Sequence, residues 1–350
     1  MAKDEYGFQD ARGAILSSNL IIPSLLLSDL TDAKFNGSWQ DKLTTGAAYD
    51  GSPLRKKESW TLLWCLERAA RTQMQTFGLS GLYEEVQTAG FFGALASNLE
   101  LFSQLDEELR ATGFKLFFAD CRSDGTETSL GADFAIIIPV SEDEVKLALF
   151  QAKKVKGTGV SDVYQVAGNT GKYQIQQLLR SEERLQELAI APSSDTCEAL
   201  SQSPFRDAVY YVFWHQCEPS GLLRPTIRPA RSVSADLTAG QPDRSYPTTK
   251  TWNVDPLHDW IYFSEAVSLL LADETSRFGV RLTRASVLSF LKNGPRPRRV
   301  IGIHPPSLEY KLGYWDYLSN SPWIECNFSG LGWSSVEKRE IAPSSSPFEI

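Results

Sequence analysis

Two apolar runs, each joined to a short polar signature, constrain how the middle of this chain can fold. Ala135-Ile136-Ile137-Ile138 follows Gly131-Ala132-Asp133-Phe134, and Val145-Lys146-Leu147-Ala148-Leu149-Phe150 precedes Gln151-Ala152-Lys153-Lys154. Runs this short and this rich in branched side chains suit buried strands. The residues between them, Pro139 to Glu144, are polar and turn-like. The runs are therefore expected to pair antiparallel. Asp133, at the start of one, then lies beside Gln151 and Lys153, at the end of the other. One carboxylate, one amide oxygen and one lysine share a sheet edge. Such a set can hold a divalent cation and steady a phosphate.

The remainder of the chain supports a large globular protein. Its 350 residues suffice for one large domain or two of ordinary size, and 42% hydrophobic content with nine Trp and eighteen Phe fills a core. Five cysteines (Cys65, Cys121, Cys197, Cys217, Cys326) are dispersed with no CxxC spacing, which argues for reduced thiols and against a disulfide framework. His215, His258 and His304 are isolated, so no zinc site is expected, and His215 near Cys217 reads as a packed strand end. The N-terminus is too polar for a signal peptide, and the Ala14 to Leu30 stretch is too broken for a membrane span. A cytoplasmic protein without a membrane partner is expected.

Along the chain, residues 1–78 read as a partly helical N-terminal extension. Ser59 is expected to cap a helix from Trp60 to Phe77, because Leu62, Leu63, Cys65, Leu66, Ala69 and Ala70 recur at helical spacing. Residues 79–220 read as the core. A helix over Tyr83 to Ala111 leads to a strand, Phe114 to Ala119, and then to the two runs above, three strands in a meander. Gly157 to Gly171 is expected to be a loop, Lys172 to Ala189 a helix and Ala208 to Trp214 a strand. Residues 221–350 form a mixed α/β C-terminal extension. There Ser232 to Thr249 reads as a loop, Pro256 to Ala272 and Thr283 to Leu291 as helices, and Arg299 to Ile303 as a strand.

In this order of elements, with Asp133 and Gln151-Ala152-Lys153 at these positions, the chain resembles the PD-(D/E)XK nuclease superfamily, in a Gln variant of its motif. The resemblance covers Tyr83 to Trp214. It implies an α/β fold, a restriction-endonuclease-like αβββαβ core with a mixed central sheet. Gly131 before the Asp, and Gln174 and Gln177 at the start of the second helix, are shared traits. The resemblance implies a Mg²⁺- or Mn²⁺-dependent DNA endonuclease, in prokaryotic (anti-phage) defence or DNA processing. Asp133 and Gln151 would be metal ligands, joined by the Ala152 carbonyl. Family members carry a Glu on the first helix, which Glu84 or Glu85 would supply. Glu84 is preferred, since it shares a face with Thr88 and Leu95. Lys153 would hold the attacking water or neutralise charge on the phosphate. Gln151 departs from the usual acidic residue and offers a neutral oxygen, so metal affinity should be lower. Glu127, close before Gly131, reads as a loop carboxylate. Gln174 would contact the site or only cap its helix.

A net charge of −8 counts against a protein that coats DNA by bulk electrostatics, but permits a local basic cleft. Lys154 and Lys156 beside Lys153, with Gln174 and Gln177, are candidate nucleic-acid contacts. The trio Arg224, Arg228 and Arg231 and the cluster from Arg281 to Arg299 are further candidates. No GxxxxGK[ST] loop is present, so ATP-driven movement on DNA would need a separate ATPase or sensor subunit. The two extensions offer surfaces for such partners or for self-assembly. The alternative function is a catalytically impaired module of the same fold that binds nucleic acid or a protein.

Overall fold

The apolar runs become strands buried on both faces, which is why they read as continuous hydrophobic stretches. A computed structural model describes residues 57–77, 83–105, 114–119, 132–141, 143–157, 159–167, 172–190, 207–215, 225–239, 246–247, 249–271, 278–293, 297–303 and 323–326. Two helices come first, α1 (Lys57–Phe77) and α2 (Glu84–Leu105). Strands β1 (Phe114–Ala119), β2 (Phe134–Pro139) and β3 (Glu144–Lys154) follow, then the short β4 (Ser161–Asp162), β5 (Val166–Ala167) and β6 (Lys172–Tyr173). Next come α3 (Gln174–Glu187), β7 (Val209–Trp214), β8 (Thr226–Pro229), α4 (Ala230–Ala239), β9 (Asn253–Val254) and β10 (Ile261–Tyr262). The described chain ends with α5 (Phe263–Leu271), β11 (Val280–Thr283), α6 (Arg284–Asn293), β12 (Arg299–Ile303) and β13 (Trp323–Cys326).

Nine of these strands form one mixed sheet in the order β10-β8-β7-β3-β2-β12-β1-β13, with β11 paired to β3 off this path. Helices cover both faces. On one, α1, α2 and α5 pack on Phe134, Ile136, Phe150, Tyr210, Val212 and Trp214. On the other, α3, α4 and α6 pack on Ala135, Ile137, Leu147, Leu149, Tyr211 and Phe213. Each large side chain so buried contributes roughly 1.5–3 kcal/mol of transfer free energy. Long β3 serves two neighbours on one edge. Its first half pairs antiparallel with β11, and its second half pairs parallel with β7. The switch is tight, since Gly279 has φ +76° and a Cβ there would stand 2.9 Å from the Leu147 carbonyl oxygen.

The expected meander is overturned. β1 does not pair with β2, because β12 lies between them, parallel to β2 and antiparallel to β1. The strand from the C-terminal part satisfies two inner edges at once, and hydrophobic periodicity carries no information on such neighbour order. Strands from residues 221–350 therefore belong to the same sheet as β2 and β3.

Smaller expectations also change. Ser59 is no cap, because α1 begins at Lys57 and Ser59 is buried within it. Residues 157–171, read as a loop, hold β4 and β5, and the third helix begins at Gln174, after β6. Much of the expected 232–249 loop is α4. Its Ser, Thr and Asp residues suggest a loop, but Ala230, Val233 and Leu237 at helical spacing are buried. The helix expected from Pro256 begins only at Phe263. The first 56 residues, with Ala14 to Leu30, and also Cys121, Cys197, Cys217, Arg224, Glu127, Gly131 and His304, lie outside the described residues. Among the described residues, no helix is long and apolar enough to cross a membrane.

Candidate active site

The antiparallel register of β2 and β3 sets Phe134 opposite Phe150, so Asp133 and Gln151 follow as the next pair. Asp133 is anchored there by its own backbone, whose N–H donates to the Phe150 carbonyl at 2.8 Å. Its Oδ2 accepts the Ala152 N–H at 2.9 Å and the Gln151 Nε2 at 2.5 Å. The same Gln151 nitrogen donates to the Ala152 carbonyl at 3.0 Å. One carboxylate oxygen and one backbone carbonyl thus converge on a single amide nitrogen.

Glu84 enters from the first turn of α2. One turn on, Thr88 is buried and its Oγ1 accepts the Trp214 indole N–H at 3.2 Å. That bond holds the start of α2 over the ends of β3 and β7. Glu84 then reaches Lys153 Nζ at 3.4 Å through Oε1 and the Lys154 N–H at 3.2 Å through Oε2. Lys153 is almost wholly buried, and its ammonium also donates to Gln165 Oε1 at 2.8 Å. The Gln165 carbonyl in turn accepts the Gln174 N–H at 2.8 Å, tying α3 to the same end of the sheet. Arg298 completes the ring, 4.0 Å from Asp133 Oδ1.

Asp133, Gln151, Ala152, Lys153 and Glu84 are therefore brought together. Gln174 begins α3 with its N–H on the Gln165 carbonyl, and its Oε1 is buried with no partner among the described residues. Lys154 and Gln177 are half-buried, and Lys156 is exposed and paired with Asp162 at 3.4 Å. Gln165 escaped the sequence reading, and Arg298 was named only as part of the basic cluster from Arg281 to Arg299. Gln165 sits in a stretch with no periodicity. Arg298 arrives through the parallel register of Arg299 with Phe134, a pairing between distant segments.

The basic candidates elsewhere fare differently. Arg228 is fully buried, bonded to Asp236 at 2.6 Å, Ser232 at 3.0 Å and the Asp255 carbonyl at 2.7 Å, so it fastens β8 to α4 and is no surface phosphate contact. Arg231 pairs with Asp207 at 3.4 Å, Arg281 with Glu144, and Arg299 lies over the Phe92 ring. His215 is a packed strand end, 2.7 Å from the Thr226 hydroxyl. Cys65 is free and buried, and burial raises its thiol pKa, which makes it inert.

Burial dominates the electrostatics. It pushes Glu84 up from 4.5 to about 7, against the lowering pull of Lys153 and with the help of the Asp133 and Glu85 charges. Asp133 is raised by burial too, while Lys153 and Arg298 hold it down. The oxygens of Asp133 and Ala152 already meet at one polar atom, and Glu84 adds a carboxylate bonded to Lys153. These residues fit magnesium or manganese, which take one or two carboxylates plus neutral oxygens. Among the described residues no three His, Cys, Asp or Glu side chains converge as a metal set. A site at this position therefore relies on the Gln151 and Ala152 oxygens. Comparison with known proteins finds no matching family model, curated protein or solved structure.

A stability consequence follows on the opposite helix. Glu182 of α3 is buried, accepts the Ala208 N–H at 2.7 Å, and is also pushed up from 4.5 to about 7 by burial. A carboxyl with a raised folded pKa binds its proton more tightly in the native state. Its contribution is full below about 4.5 and is lost as pH rises through about 7. Such a shift corresponds to about 3 kcal/mol for Glu182. The melting temperature of the metal-free protein is expected to fall between pH 5 and pH 8. Glu182→Gln, which keeps an acceptor for Ala208, should flatten that fall. Parallel melting curves for the two proteins across this range would contradict the assignment.

Proposed function

We propose that the chain is a metal-dependent DNA endonuclease that hydrolyses phosphodiester bonds. The observation that carries this reading is the meeting of Asp133 Oδ2 and the Ala152 carbonyl at the Gln151 amide, with Glu84 and Lys153 alongside. The resemblance to the PD-(D/E)XK superfamily, with its restriction-endonuclease-like core, supports it through these same residues. A setting in prokaryotic defence or DNA processing rests on that resemblance alone.

A bound Mg²⁺ or Mn²⁺ would polarise the scissile phosphate and lower the pKa of an attacking water. Asp133, the Ala152 carbonyl, Gln151 and Glu84 would hold it. Lys153, held by Glu84 and Gln165, would neutralise charge as it develops on the phosphate. DNA would approach along Lys154, Lys156, Gln174 and Gln177, and an ATPase or sensor partner or self-assembly would use the remaining surfaces.

Purified protein with Mg²⁺ or Mn²⁺ is expected to nick or degrade plasmid DNA, and EDTA to stop it. Gln151→Glu should keep activity or tighten metal binding, and Gln151→Ala should raise the metal requirement. If both variants follow the wild type across a Mg²⁺ titration, Gln151 is not a ligand. If the wild type binds DNA but cleaves under no metal, the chain is the non-catalytic module.

A further inference from the structure

Gln151 and Tyr211 stand opposite each other across the parallel β3–β7 pair. Residues so paired project to the same side of a sheet. That side is the one covered by α3, since Tyr211 shares a core with Leu149, Phe213, Ile175 and Leu178. Tyr211 is fully buried, and its hydroxyl has no hydrogen-bond partner among the described residues. An unpaired buried hydroxyl is costly, and phenylalanine would fill the same space without the cost. The phenol pKa is raised chiefly by burial, with smaller contributions from Tyr246 and Glu84.

The Gln151 amide explains what the hydroxyl is for. Its nitrogen is engaged by Asp133 and the Ala152 carbonyl, the two oxygens assigned above to a cation. For Gln151 to offer Oε1 to that cation, the amide must turn, and its nitrogen then needs a new acceptor. We propose that Tyr211 is a positioning residue for Gln151, its phenol oxygen accepting the hydrogen bond of the turned amide and so keeping Oε1 on the cation. An amide ligand has two chemically different ends, and its orientation is set by what the other end bonds. A carboxylate at 151 presents an oxygen either way and lacks this requirement. The proposal rests on the metal-dependent reading above.

The test compares the full-length wild type with Tyr211→Phe by Mn²⁺ calorimetry, by melting without metal and by cleavage across a Mn²⁺ titration. Partners that orient a metal ligand typically carry a tenfold to hundredfold effect on affinity or activity. Tyr211→Phe is expected to melt at the wild-type temperature or above it without metal. It should bind Mn²⁺ about ten times more weakly and recover most of its cleavage rate at high Mn²⁺. Adding Gln151→Glu to Tyr211→Phe should restore the affinity. Wild-type Mn²⁺ affinity in Tyr211→Phe, or a lower melting temperature without metal, would overturn the proposal while leaving a metal-dependent nuclease in place. A wild type that neither binds Mn²⁺ nor cleaves would remove both.

Discussion

Asp133→Asn and Asp133→Ala are both expected to abolish cleavage, a loss on the order of a thousandfold or more, because under the proposed function Asp133 would hold the cation, and a ligand in that role underlies several kcal/mol of transition-state stabilisation. The two variants differ in stability. Asp133 is largely buried, not the solvent-open strand end that its sequence position suggests, and its Oδ2 satisfies both the Ala152 N–H and the Gln151 amide. Alanine leaves both donors unpaired, at a cost of about 1–3 kcal/mol each. It also removes a desolvated carboxylate that opposes ionisation of Glu84, which offsets part of that cost. Asparagine keeps an acceptor oxygen and should melt close to the wild type. Loss of cleavage in folded Asp133→Asn thus separates chemistry from stability. Cleavage at the wild-type rate by Asp133→Ala would sink the site.

Lys153→Ala is expected to lose on the order of a hundredfold or more in rate, as removal of one charge-stabilising donor typically does, while keeping most of its DNA affinity. The geometry separates it from its neighbour. Lys153 shares the Gln151 face of β3 and is almost wholly buried between Glu84 and Gln165, whereas Lys154 meets Glu84 only through its backbone N–H. Lys154→Ala should therefore cleave at high enzyme concentration and show weaker binding with a flatter salt dependence. In the metal-free protein Lys153 holds the Glu84 pKa down, so Lys153→Ala should raise it further. Equal, small, salt-sensitive binding losses in both variants, without cleavage by the wild type, would favour the non-catalytic module.

Much of this arrangement was legible in the chain because it is local. Ile136 and Leu149 lie in continuous apolar runs with a short polar link, and such runs can only pair antiparallel across it. Period-two alternation then decides that Gln151 and Lys153 face together while Ala152 turns away. Helical spacing likewise located α2, which carries Glu84. These features depend on residues within about twenty positions of one another, where chain connectivity restricts the outcome.

What lay beyond the sequence is everything set by contacts between distant segments. The apolar run Val300-Ile301-Gly302-Ile303 announces a strand but not its place between β1 and β2, since any buried edge would satisfy its hydrogen bonds. That placement alone brings Arg298 to Asp133. Gln165 meets Lys153 through a turn with no periodic signal, and Tyr211 meets Gln151 through a parallel register that hydrophobicity leaves undetermined. The raised pKa of Glu84 is likewise a property of burial among α2, β3 and their neighbours. Local pattern located β1, β2, β3, β7 and β12, and the short link between β2 and β3 set Asp133 beside Gln151 and Lys153. The order of strands from distant segments, the arrival of Arg298 and Gln165, and the depth of burial came from tertiary contacts, because strand order and desolvation are summed over the whole packed chain.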